Sequence, residues 1–133
     1  MKVIVIEPRK KAYVKEIDSS LRSMQELVNG YIEAIYPFDD EVALVCNKEG
    51  KLIGEEANRV LRGEDGRVYD IICGTCFIAG LGEEDFTDVP EELVDKYLRM
   101  YEPREEFVRF GRNVYVNTYT PRGKCLRFME QIV

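Results

Sequence analysis

The stretch VYDIICGTCFIAGL, residues 68–81, constrains the fold of this chain more than any other. It is the most apolar run in the sequence, longer than the usual strand of about five or six residues, and Gly74-Thr75 interrupts it. A glycine inside such a run marks a bulge, a tight bend or a close backbone approach. Residues 68–73 and 76–81 are therefore predicted as two strands that meet at a bend.

The same stretch contains Cys73-Gly-Thr-Cys76, which reads either as a chemical site or as two small buried residues. A structural zinc site takes two such arms, each a turn presenting two ligands to one tetrahedral centre. This chain has one arm and no histidine, and Cys46 and Cys125 stand alone in apolar contexts. A thioredoxin-like pair belongs at the start of a helix after a strand, where the thiolate is stabilised. Here Cys76 runs into Phe77-Ile78-Ala79, a strand pattern. The four cysteines are read as free thiols packed in the core, as a reducing compartment favours. No metal and no cofactor is expected.

The rest of the chain gives an α+β order. Val3-Ile4-Val5-Ile6 and Tyr13-Val14 with Ile17 flank a basic turn and read as a hairpin. Asp18 or Ser19 is placed to cap a helix with apolar residues at Leu21, Met24, Leu27 and Val28, and Gly30 to end it. YIEAIYPF, EVALVCN and KLIG follow as strands, the last two joined by a turn at Asn47-Lys48-Glu49-Gly50. GEEANRVLRGEDG reads as a polar segment. Asp88, Pro90 and Glu91 mark a second helix start, with Leu93, Val94, Tyr97, Leu98 and Tyr101 as its apolar stripe and Pro103 as its end. EFVRF and NVYVNTY form a hairpin around Gly111-Arg112-Asn113, a turn follows at 120–123, and the final segment is unassigned. The expected fold is a single α+β domain over 1–133, a mainly antiparallel or mixed sheet with two helices packed on it. Within it, 83–102 supplies a helix and 103–133 a C-terminal hairpin and tail. At 133 residues, 45% hydrophobic, the chain suffices for one core and not for two.

Segments of this chain together resemble one known family. MKVIVIEP, NGYIEAIYPFDDEVALVCNKEGKLIG, ANRVLR and YDIICGTCFIAG are similar to the DUF3846 family, small proteins of phages, plasmids and conjugative elements of Gram-positive bacteria. The resemblance covers residues 1–82 and rests on the Gly-Tyr-Ile-Glu, Glu-Gly-Lys-Leu, Asn-Arg and Gly-Thr elements taken together. The family pattern has Gly-Thr between apolar residues rather than Cys-x-x-Cys, which argues against a metal or redox role for Cys73 and Cys76. It implies no catalytic residues. It implies a setting in which small non-enzymatic binders of host factors are frequent.

Charge narrows the function classes further. The net charge of −6 disfavours non-specific phosphate binding, although the segment from Arg104 onward carries +3 and leaves −9 on the preceding residues. Without histidine the common serine and cysteine triads are absent, and the serines at 19, 20 and 23 suit a helix start. The acidic pairs at 39–41, 55–56 and 83–85 read as solvated turns before they read as a magnesium site. Binding remains, with Glu33, Asn58, Arg59, Asp70 and Thr75 as polar groups on apolar elements that would orient a ligand in a shallow pocket. Strand alternation, turn chemistry and surface charge explain the same residues without a ligand.

The expected function is a non-enzymatic binding protein of a mobile element that sequesters or inhibits a host component, such as a defence protein or a nucleotide-type signal. One alternative is a small metal-dependent enzyme acting on a nucleotide. Another is a nucleic-acid-binding accessory protein using Arg109, Arg112, Tyr115, Arg122 and Lys124 of the tail, whose rings and cations suit bases and phosphates. The acidic body makes nucleic acid the weaker partner. No apolar run reaches the ~18 residues of a membrane span, so a cytoplasmic protein is expected, and the surplus of apolar strand surface predicts a homodimer.

Overall fold

A computed structural model describes residues 1–133. Strands β1 (Lys2–Ile6) and β2 (Tyr13–Glu16) form the expected antiparallel hairpin. After helix α1 (Leu21–Val28) come β3 (Ile32–Ile35), β4 (Val42–Asn47), β5 (Ala57–Arg62), β6 (Val68–Cys73), β7 (Cys76–Leu81) and the short β8 (Phe86–Thr87). Helix α2 (Glu91–Met100) precedes β9 (Arg104–Phe110), β10 (Asn113–Tyr119) and β11 (Glu130–Gln131).

The main sheet runs β2-β1-β7-β4-β3, with β8 on the end of β7, and every pairing in it is antiparallel. Its central strands are apolar at nearly every position because both faces are covered. Successive side chains point to opposite faces. Val3, Val5, Ala43, Val45, Phe77 and Ala79 pack with Met24 and Val28 of α1, whereas Ile4, Ile6, Leu44, Cys76 and Ile78 pack with Val94 and Tyr97 of α2 and with Tyr101 at its C-cap. The two helices lie on the sheet as expected, one on each face. Burying a side chain such as Phe77, wholly enclosed here, contributes roughly 1.5–3 kcal/mol.

Gly74 makes the expected bend, at φ +83°. The two strands it joins part company: β7 enters the centre of the main sheet, and β6 pairs antiparallel with β5 in a separate hairpin. A third, antiparallel sheet orders as β11-β10-β9, and the hairpin expected over 106–119 forms over 104–119 and turns at Gly111, φ +60°.

Several local expectations are corrected. Ser20, not Asp18 or Ser19, caps α1 by accepting from the Ser23 amide at 3.1 Å. Asn29 takes the left-handed conformation that ends the helix, at φ 63°. Gly30 is needed for space, since a Cβ there would sit 2.6 Å from Nδ2 of Asn47. That amide donates to the carbonyls of Val28 and Asn29, so a strand residue closes the helix end. Asp88 does not cap α2; its Oδ1 accepts from the Lys2 amide at 2.7 Å.

KLIG is not a strand. Residues 48–54 form consecutive turns, with Ile53 N donating to Glu49 O and Glu55 N to Gly50 O, and Leu52 and Ile53 are exposed. The strand lies instead in the segment read as polar, where β5 buries Asn58, Arg59, Val60 and Leu61. The cysteines are all free, and Cys46 and Cys76 are core residues, but Cys73 is half-buried and Cys125 is exposed. In the final segment, left unassigned by the sequence, Phe128 is 95% exposed because the chain from Pro121 to Met129 runs over the surface.

Candidate functional site

Two cavities flank the junction between the β5–β6 hairpin and the β9–β11 sheet, and charged groups mark both. The junction is held by a side chain in place of a strand pairing: the Val60 amide of β5 donates to Glu105 Oε1 of β9 at 3.3 Å.

The first cavity, about 490 Å³, lies among β5, β9, the end of α2 and the segment at 126–127. Arg59 and Glu105 line it and are 2% and 8% exposed. Arg59 reaches the interior because its guanidinium meets a ring of acceptors. Nη1 donates to Asn58 Oδ1 at 2.9 Å and to the Asn58 carbonyl at 3.2 Å, and Nη2 to the carbonyls of Lys10 at 2.5 Å and Tyr101 at 3.3 Å. Tyr101 closes α2, so the cation also sits where the helix dipole is negative. Nε of Arg59 and Oε2 of Glu105 have no protein partner. Burial lowers the pKa of Arg59, with the Glu105 charge opposing. Burial likewise raises that of Glu105, against the Val60 amide and the nearby arginines. Arg62 and Arg127 also line the cavity, and both approach Glu130, at 2.6 and 3.6 Å.

The second cavity, about 500 Å³, is a cleft between β6 and the β9–β11 sheet. Its walls are apolar, among them Val68, Ile71, Phe107 and Val114, and its charged residues are Lys51, Asp70 and Arg109. Lys51 and Asp70 form an ion pair. A smaller space of about 250 Å³ on the other side of Asp70 is lined by Glu33 and Cys46, which face each other across β3 and β4.

The residues singled out in the sequence thus divide. Asp70 shares one cavity with Glu33 and another with Arg109, and Arg59 lines the third. Asn58 is fully buried and ties strands together, its Nδ2 donating to the carbonyls of Ile6 and Gly74 at 2.8 and 2.9 Å. Thr75 is half-buried and lines none of the three. In the tail, Arg112 stands at the β9–β10 turn while Arg122 and Lys124 stand in the turn beyond the other end of β10. Seven residues of strand, about 20 Å, separate them. Glu105 was missed. Its one signal was strand alternation, which puts it on the same face of β9 as Phe107.

Residues 1–102 match the family described as Domain of unknown function (DUF3846). The chain belongs to this family. The DUF3846 region extends past residue 82 to include α2, and the β9–β11 sheet follows it. Both cavities are therefore composite, with β5 or β6 of the DUF3846 region as one wall and β9 as the other. No curated protein and no solved structure matches the chain. No group of three His, Cys, Asp or Glu side chains is placed to hold a metal ion, and no helix is long and apolar enough to cross a membrane.

Proposed function

We propose that this DUF3846 protein is a non-catalytic binding protein of a mobile element that sequesters or inhibits a host component, gripping it at the cleft between β6 and the β9–β11 sheet. The observation that carries the reading is the cleft itself: about 500 Å³, apolar walls, and three charged side chains to orient what enters. Ligand sites combine these features. Tyr69 at the cleft is 60% exposed, and exposed aromatic residues supply much of the energy of protein contacts. A mostly apolar lining suits the side chains of a host protein better than the phosphates of a nucleotide. The mobile-element setting rests on the family resemblance, and the inhibitory role rests on that setting.

Native mass spectrometry of the protein mixed with lysate of a Gram-positive host tests this reading. The expected result is one component retained unchanged at stoichiometric ratio, and lost in Tyr69→Ala with folding intact. Conversion of a retained molecule to product would establish an enzyme instead. Oligonucleotides retained in a salt-sensitive complex, and released by Arg112→Ala or Arg122→Ala, would establish the nucleic-acid reading.

A further inference from the structure

A groove beside the main sheet and a loop of the tail are opposite in charge, and both expose apolar side chains. The groove, about 670 Å³, lies between α1, β3 and the turn that joins β7 to β8. Leu21, Tyr36 and Leu81 line it and are 55%, 64% and 37% exposed. Its charged residues are Glu83, Glu84 and Asp85, with no cation among the lining. The Gly82 amide donates to the Asp85 carbonyl at 2.8 Å, and this turn keeps the three carboxylates side by side. None of them enters an ion pair. Like charges so close repel one another, and all three attract a cation brought among them.

The loop runs from Pro121 to Met129, and each of its residues is exposed. It carries Arg122, Lys124 and Arg127 and no acid. Arg122 and Lys124 enter no ion pair, and Arg127 shares Glu130 with Arg62. Among these cations stand Leu126 and Phe128, 51% and 95% exposed. The backbone of the loop is held: the Thr120 amide donates to the Lys124 carbonyl at 2.8 Å, the Leu126 amide to the Thr118 carbonyl at 2.7 Å, and β11 anchors the far end. A ring on a backbone already fixed loses little entropy on docking, and aromatic residues and arginine are enriched at the centres of protein interfaces.

Groove and loop also adjoin. Tyr36 lines the groove, and the next residue, Pro37, lines the cavity that Leu126 and Arg127 border. Within one copy the ring of Phe128 does not reach the groove. Neighbouring patches that complement each other suit a two-fold axis, which sets the loop of each copy against the groove of the other. We infer that a second copy of this chain covers this face, with Phe128 of each copy seated among Leu21, Tyr36 and Leu81 of the other, and Arg122 and Lys124 against Glu83 and Glu84. The contact is separate from the cleft at Tyr69 and does not depend on it.

Sedimentation velocity from low to high micromolar concentration tests the inference. The wild-type chain is expected to pass from monomer to dimer, and salt at about 1 M, where the Debye length is ~3 Å, should weaken the dimer about tenfold or more. Arg122→Glu with Lys124→Glu sets acids against acids, and Glu83→Lys with Glu84→Lys sets cations against cations, so each double variant should stay monomeric. An equimolar mixture of the two restores opposite charges at both contacts and should dimerise as the wild type does. All four positions are exposed, so neither variant threatens the fold. Phe128→Ala should weaken the dimer about tenfold or more, and Tyr69→Ala should leave it unchanged. The contact joins copies already folded, so melts of Phe128→Ala and wild type should coincide in solutions too dilute to dimerise. A wild type that is monomeric at high micromolar concentration would overturn the inference. So would a dimer that survives in either charge-reversed variant, or a mixture of the two that remains monomeric.

Discussion

The side-chain amide of Asn58 donates to the carbonyl of Gly74 at 2.9 Å, fixing the bend that sends β6 and β7 into different sheets. The same nitrogen donates to Ile6 O at 2.8 Å, and Asn58 Oδ1 accepts from Arg59. One buried amide therefore joins β1, β5 and the bend. Asn58→Ala should cost about 2–4 kcal/mol, because buried carbonyls lose their donor. Asn58→Asp should cost more, since it replaces that donor with a charged acceptor. Chemical denaturation of the two variants checks the order.

Arg59 should dominate the arginines in stability. Removing it strips donors from the carbonyls of Lys10 and Tyr101 and leaves Glu105 without its nearest buried countercharge. Arg59→Met is expected to destabilise by about 3–5 kcal/mol, whereas the exposed Arg112→Ala and Arg122→Ala should stay within about 0.5 kcal/mol of wild type. Thermal melts of the three variants decide it.

The tail divides by burial. Val116 is 1% exposed and Phe128 is 95% exposed. Val116→Ala should lower stability by about 1–3 kcal/mol, and Phe128→Ala should leave it unchanged. A fall in melting temperature for Phe128→Ala would mean that its ring packs in solution.

Glu105 predicts a pH dependence. Its folded pKa is raised by burial above the ordinary value of 4.5, so the folded state holds this proton more tightly than the unfolded one. Its contribution is greatest below the ordinary value and is lost as pH rises through the raised one. Glu105→Gln removes that loss. The variant should gain stability relative to wild type between about pH 4.5 and neutrality, and the gain should vanish in acid. Denaturation midpoints measured across this range give the difference directly.

Thiol labelling should separate the cysteines. Cys125 is exposed and should react in the native protein, and Cys73 should react slowly. Burial pushes the Cys46 thiol up to about 11 and that of Cys76 higher still, so both should react only on unfolding. Rapid native labelling of Cys76 would contradict its place between the main sheet and α2.

The sequence by itself determined most of the elements and their class. Hydrophobic alternation and turn residues are local signals, and they placed the β1–β2 and β9–β10 hairpins, both helices and the break at Gly74. They did not locate β5, because Asn58 and Arg59 look like solvated residues until the carbonyls of Ile6, Lys10, Gly74 and Tyr101 are brought around them. Those acceptors lie up to 52 residues away in the chain. The same reason hid Glu105, whose partner amide is 45 residues distant. Tertiary structure also decided that Cys125 and Phe128 face solvent, since exposure depends on what the rest of the chain covers and not on the residue itself.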